Sequence, residues 1–149
     1  MNYPYYDVQE SPSRLHFEFT SEGPNSSILK VVDYAYMDAL GLWNLGFGDY
    51  DPVSDTVNDK VVSDNGDGRK VIATVFFTLN EFFAEYPEAT VFFTGSTNLR
   101  TEVYGRIIKQ NLQHFPNRFV VEGVNKDGST EVFNSHKLYS AFLISLLRN

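Results

Sequence analysis

Residues 68–86 read GRKVIATVFFTLNEFFAEY. Apolar side chains recur in this stretch at spacings of one, three or four, which is typical of an amphipathic helix with a broad buried stripe. The members of the stripe are Val71, Ile72, Val75, Leu79, Phe82, Phe83 and Tyr86. Because Pro87 follows and cannot continue a helix, we predict a helix over 68–86.

The sequence before this helix predicts a meander of strands. Residues 14–20 alternate apolar and polar side chains, which is the period of a half-buried strand. Residues 28–37 predict the returning strand of a hairpin, and residues 42–47 predict a third strand. An acid-rich loop over 48–67 follows, with one short edge strand near 56–62.

The sequence after this helix predicts both kinds of element. Residues 90–94 indicate a short apolar strand, which leads through a small loop into a second helix over 97–114. Residues 119–124 and 130–133 flank the turn Asn125-Lys126-Asp127-Gly128, which is a strong hairpin signal.

The last segment, 138–147, has an apolar pattern that fits a buried strand or a helix. We favour a strand, because the apolar run over 141–144 is short and follows a hairpin. The element order then predicts an α+β fold, in which two helices pack on one face of a largely antiparallel mixed sheet. A length of 149 residues with no linker pattern predicts a single globular domain over 1–149.

Charge is distributed unevenly along the chain. The total is 19 acidic against 12 basic side chains, a net charge of −7. Residues 1–67 carry 12 acids and 3 bases, whereas residues 68–149 carry 7 acids and 9 bases. A negative field repels phosphate backbones and anionic membranes, so we do not expect nonspecific nucleic-acid binding.

The composition also bears on location and redox chemistry. There is no cysteine, which excludes disulfides, thiolate-held metals and a thiol nucleophile. The apolar run over 141–144 is far shorter than the roughly 20 residues of a membrane span. The N-terminal sequence lacks the basic and apolar regions of a secretory signal. We therefore expect a soluble cytoplasmic protein without membrane contact.

The loop Gly95-Ser96-Thr97 joins a predicted strand to a predicted helix. Backbone N–H groups and hydroxyls can converge there at the positive end of the helix dipole, which suits an anion. Arg100, in the first helical turn, adds a guanidinium that binds phosphate or carboxylate well. The structural alternative is that Gly95 makes the turn, a hydroxyl caps the helix and Arg100 pairs with a nearby acid.

Arg69 and Lys70 lie in the first turn of the first predicted helix, where the dipole disfavours cations. They could face the same anion as Arg100, or they could pair with Asp64 and Asp67. Both interpretations explain why two cations stand at this position.

Phe77 falls on the side of the first helix that also carries Asn80 and Glu81. An exposed aromatic ring at such a position indicates a partner surface or a dimer contact. We therefore treat Phe77 as a candidate partner contact.

Metal ligands are not marked out by the sequence. Six aspartates lie between residues 48 and 67, and hard oxygen ligands suit calcium or magnesium, but their spacing differs from that of a calcium-binding loop. His16, His114 and His136 lie in three separate segments. We predict no metal site and no cofactor.

Several of these motifs together suggest a family. The chain contains Asn44-Leu45-Gly46-Phe47-Gly48-Asp49, and Gly95-Ser96-Thr97 followed by Arg100-Thr101. Over nearly its whole length it resembles an uncharacterised family of small bacterial proteins, known only as a domain of unknown function. The resemblance implies a bacterial cytoplasmic origin and brings no activity, cofactor or catalytic residue.

Two functions are compatible with these observations. The first is a noncatalytic binding or protein-partner module, since no catalytic constellation is apparent and the two halves differ in charge. The second is a small enzyme or ligand-binding domain for a phosphorylated or nucleotide-like molecule, held at the Gly95-Ser96-Thr97 turn. The expected partner is accordingly a protein or an anionic small molecule.

Overall fold

The computed structural model describes residues 5–23, 27–58, 68–95, 98–112 and 118–147. The elements within these ranges are β1 (Gln9–Glu10), β2 (His16–Glu22), β3 (Ser27–Met37), β4 (Leu42–Asp51), β5 (Thr56–Asn58), α1 (Gly68–Glu85), β6 (Thr90–Phe93), α2 (Asn98–Leu112), β7 (Phe119–Val124), β8 (Thr130–Val132) and β9 (Ala141–Leu146). Contacts divide the chain into two compact units. The first unit comprises residues 1–35 and 46–85, and the second comprises residues 36–45 and 86–149.

The strands form a mixed, mostly antiparallel sheet. In the first unit the strand order is β1-β2-β3-β4, and β5 pairs with the end of β4. In the second unit the order is β4-β6-β9-β7-β8, where β4 and β6 run parallel and the later pairs are antiparallel. Together with two helices, this arrangement confirms the predicted α+β class.

The core of the first unit lies between α1 and the strands β2 and β3. Phe17 and Phe19 of β2 are buried, as their alternation predicts. On α1 the predicted stripe is confirmed at Leu79 and Phe82, which are 1% and 0% exposed. Tyr34 of β3 stacks on Phe82 with ring centroids 4.3 Å apart. Each such side chain contributes roughly 1.5 to 3 kcal/mol by leaving water.

The core of the second unit is built around β9. Ile144 lies opposite Val91 of β6 and Val121 of β7, and it is fully buried. The interpretation of residues 138–147 as a strand is therefore confirmed for 141–146. A strand that pairs on both sides and is covered on its faces tolerates a continuous apolar run, which explains the ambiguous pattern.

Several boundaries differ from those predicted. β2 begins at His16 and not at Arg14, which has a left-handed backbone with φ 58°. β4 continues through Asp51, beyond the predicted end at residue 47. The reason is that β5 pairs with residues 49–51 and that Asp49 forms an ion pair with the buried Lys30 of β3. Neither contact is visible in the apolar pattern of β4 itself, because one partner is the strand that follows and the other lies in β3.

Neither α1 nor α2 combines the length and the apolar character that a membrane-spanning helix requires.

Candidate functional site

Gly95, the first residue of the predicted anion-binding turn, lies directly after β6. Its N–H donates a hydrogen bond of 3.0 Å to Oγ1 of Thr101, which is buried in the first turns of α2. Ser96 and Thr97 lie outside the described residues. Arg100 lies within α2, and its side chain lies outside the described part. The anion-binding role of this turn stays a prediction.

The first turn of α1 contains the other two predicted cations. Arg69 lies in the helix, and its side chain is outside the described part, as are Asp64 and Asp67. The ammonium nitrogen of Lys70 lies 4.2 Å from the centroid of the Tyr6 ring. A cation over an aromatic face is stabilised by the ring quadrupole, so Tyr6 provides a partner that neither sequence interpretation considered.

Phe77 contacts the N-terminal segment of the first unit. Its ring stacks on that of Tyr5, with centroids 4.7 Å apart and planes inclined by 20°. Phe77 is half-buried, whereas Tyr5 is 47% exposed. The stacked pair thus presents an aromatic surface that is partly open to solvent.

Tyr6 fixes this N-terminal segment against the first unit. Its backbone N–H donates to Oγ1 of Thr74 in α1, at 2.9 Å. Its hydroxyl accepts a hydrogen bond of 3.0 Å from the N–H of Glu22, and its ring stacks on Phe19. Contacts to a helix, a strand end and a core ring therefore hold residues 5 and 6 in position.

Between this segment and α1 lies a cleft of about 360 Å³. Its lining residues are Tyr5, Tyr6, Asp7, Val8, Glu10, Phe77 and Glu81. We call it the aromatic–acidic cleft, because three of the seven are aromatic and three are acidic. Arg14 forms ion pairs with two of these acids. Its Nε lies 3.8 Å from Glu10 Oε1, and its Nη1 lies 3.7 Å from Glu81 Oε2.

Asp7 is an exposed acid of the aromatic–acidic cleft. Its side chain is exposed and has no hydrogen-bond or ion-pair partner among the described residues. The first unit as a whole carries 13 acidic and 5 basic residues, a net charge of −8, whereas the second unit carries 6 acidic and 7 basic residues, a net charge of +1. The cleft therefore lies in the strongly acidic unit.

His16 lies on the outward side of β2, as predicted, but it is engaged by two carboxylates. Its Nδ1 is 2.5 Å from Asp33 Oδ1, and its Nε2 is 2.7 Å from Glu18 Oε2. Burial alone would lower the pKa of His16, but the hydrogen bonds to Glu18 and Asp33 outweigh burial and raise the pKa above 6.5. The two carboxylates therefore favour the protonated imidazolium over the neutral ring.

Glu131 is the centre of a polar network in the second unit. It accepts hydrogen bonds from Lys137, Asn125 and Tyr139, and these lower its pKa to about 2. Tyr139 also accepts a bond from the N–H of Asn134, and its ring covers Gly123 of β7. The network fixes the segment between β8 and β9. The local sequence pattern does not predict this network.

The described aspartates of the acid-rich loop have structural partners. Asp51 accepts a hydrogen bond of 2.9 Å from the N–H of Val53, which lowers the pKa of Asp51. Asp55 accepts a bond from the hydroxyl of Tyr50, and Asp49 pairs with Lys30. Within the described ranges, histidine, aspartate and glutamate side chains form no cluster of three or more that could hold a metal ion.

Comparison with known proteins gives one match. A family described as a family of unknown function (DUF6934) matches residues 2–147. No curated protein and no solved structure matches the chain. The match agrees with the resemblance that the motifs imply.

Proposed function

The chain belongs to the family of unknown function DUF6934, and we propose that it is a noncatalytic protein-partner module. Its binding surface is the aromatic–acidic cleft of the first unit, and its occupant is a basic segment of another protein. Phe77, which the sequence marks as a partner contact, lies in the wall of this cleft.

The observation that carries the proposal is the partly exposed Tyr5–Phe77 stack beside three carboxylates. Lysine and arginine have long aliphatic stems that pack on aromatic surfaces, and their cationic ends are attracted to ring faces. The carboxylate of Asp7 would meet those cationic ends at the rim, and Glu10 and Glu81, which also pair with Arg14, would add negative charge beside it. Arginine suits the site best, because its planar guanidinium stacks on rings and binds carboxylates in pairs.

Charge complementarity supports the same occupant. A net charge of −8 on the first unit attracts a basic segment and repels an acidic one. Such steering raises the association rate more than the affinity, and it weakens as salt is added.

A peptide titration tests this function. The probe is the capped peptide Gly-Arg-Gly-Arg-Gly, and its neutral counterpart contains citrulline in place of arginine. We expect the arginine peptide to shift backbone NMR signals of residues 5–10 and 77–81, and the citrulline peptide to bind about tenfold or more weakly, which corresponds to a single charge-assisted bond. Equal binding of both peptides, or arginine-peptide binding that leaves these signals unchanged, would contradict the proposal.

A further inference from the structure

The second unit contains a separate cleft of about 190 Å³ between α2 and the segment that leads into β9. Its lining includes Arg106, Ser135, His136, Lys137, Leu138 and Phe142. Sites for drug-sized ligands measure roughly 300 to 1,000 Å³, so this cleft suits a smaller molecule. We call it the Arg106 cleft.

Arg106 supplies an available cation. Its side chain is exposed, and within the described residues no carboxylate lies at ion-pair distance from it. Glu102, one helical turn earlier, lines the same cleft without pairing with it, although the i,i+4 spacing permits a pair. The guanidinium therefore keeps its donors for a ligand.

Lys137 supplies a second cation in a fixed position. Its ammonium nitrogen lies 2.5 Å from Glu131 Oε1, and Glu131 is itself held by Asn125 and Tyr139. An ammonium group has three donors, so the bond to Glu131 leaves donors that can reach into the cleft. His136 and Ser135 add further polar groups beside it.

The floor and one rim of the Arg106 cleft are apolar. Phe142 is 1% exposed and forms part of the core, whereas Leu138 is 71% exposed at the rim. Gly105 of α2 also lines the cleft, and a Cβ at this position would lie 3.1 Å from Cζ of Phe142. A larger residue at 105 would crowd Phe142, so glycine lets α2 approach this ring closely.

We propose that the Arg106 cleft binds a small organic anion in which a carboxylate is joined to an apolar ring. The carboxylate would accept bonds from Arg106 and from the polar groups of Ser135 and His136. The ring would lie against Leu138 and the half-buried Phe133. This site uses other residues than the predicted Gly95 turn and belongs to another unit than the aromatic–acidic cleft.

Titration of the full chain with benzoate and with its neutral isostere benzamide tests the charged half of the proposal. Benzoate should shift signals of Arg106, Ser135 and His136 saturably, and benzamide should bind about tenfold or more weakly. Arg106→Gln should weaken benzoate binding by a similar factor. The matched control is Lys109→Gln, which removes an exposed cation of the same helix outside the cleft and should leave binding unchanged.

Any of three results would overturn the proposal. Benzoate and benzamide could bind with equal affinity, benzoate could leave the signals of these residues unchanged, or Arg106→Gln and Lys109→Gln could change the benzoate affinity equally. The apolar half has its own control. Leu138→Ala should weaken benzoate binding relative to acetate binding, whereas Leu40→Ala, at a similarly exposed leucine outside the cleft, should not. If Leu138→Ala weakens both anions equally or neither, the ring does not lie where we propose.

Discussion

Tyr5 stacks on Phe77 with ring centroids 4.7 Å apart, which joins the N-terminal segment to the outer side of α1. The ring of Phe77 would otherwise project from the polar side of its helix. Because Tyr5 covers only part of it, the pair leaves an aromatic surface beside the carboxylates of the cleft. The contact anchors the N-terminal segment, and in our proposal it also provides the binding face.

The core of the first unit depends on Leu79. Because Leu79 is 1% exposed, Leu79→Ala should lower the free energy of unfolding by about 2 to 5 kcal/mol, through lost burial and the cavity left behind. Denaturant unfolding measures this loss. Leu40→Ala, at a leucine 66% exposed, should stay within about 0.5 kcal/mol. A loss below about 1 kcal/mol for Leu79→Ala would mean that the helix face is misassigned.

Gly123 should tolerate no side chain. A Cβ at this position would lie 2.2 Å from Cε1 of Tyr139, whose hydroxyl is held by Glu131 and Asn134. Gly123→Ala should therefore destabilise the protein by about 1 to 3 kcal/mol or more, as overpacking does. In a Tyr139→Ala background the same change should cost much less, because the clash is gone. Equal costs in both backgrounds would exclude the clash as the cause.

His16 should make stability depend on pH. Since its pKa is higher in the folded protein than the ordinary 6.5, its contribution is fully present below pH 6.5 and is lost as the pH rises through the folded pKa. The difference in unfolding free energy between wild type and His16→Gln should thus shrink with rising pH. NMR titration of the imidazole should show a pKa above 6.5, and Asp33→Asn should lower it. An imidazole that titrates below 6.5 would refute this account.

The Gly95 turn has a test of its own. If the turn binds an anion, inorganic phosphate should raise the melting temperature of the wild type, and Arg100→Ala should abolish that shift with little loss of stability. Arg100→Lys should keep only part of the shift, because lysine retains the charge and loses the planar fork. Arg100 would be a structural residue if phosphate left the melting temperature of the wild type unchanged and Arg100→Ala lowered the free energy of unfolding by several kcal/mol.

Local patterns predicted the elements of this fold well. The helical period of 68–86 and the short apolar run of 141–144 each led to an element that the structure contains. The strand ends were harder to predict, because β1 and the end of β4 are defined by pairing with other strands and not by an apolar pattern of their own. Aspartate is common in loops, and at Asp49 the ion pair with Lys30 and the pairing with β5 favour a strand.

The contacts of the candidate sites were harder to predict from the sequence than the helices and strands. Because a helical period shows which face a residue occupies, the sequence could place Phe77 outside the buried stripe of its helix, and its role as a partner contact stays a prediction. Its partner Tyr5, and the position of Lys70 over Tyr6, could not be predicted, since a contact between segments so far apart leaves no periodic signal. The Glu131 network was missed for a different reason: its members are close in sequence, but their side chains meet only because the chain turns between β8 and β9.

The affinity of the arginine peptide for two matched double variants tests the central claim most directly. Asp7→Asn with Phe77→Ala removes one carboxylate and one ring of the aromatic–acidic cleft, and it should raise the dissociation constant about tenfold or more. Asp38→Asn with Leu40→Ala makes comparable changes at exposed residues outside the cleft, and it should leave the dissociation constant within about twofold. Equal affinities of the two variants, measured on samples whose melting temperatures show that both are folded, would contradict a partner site at this cleft.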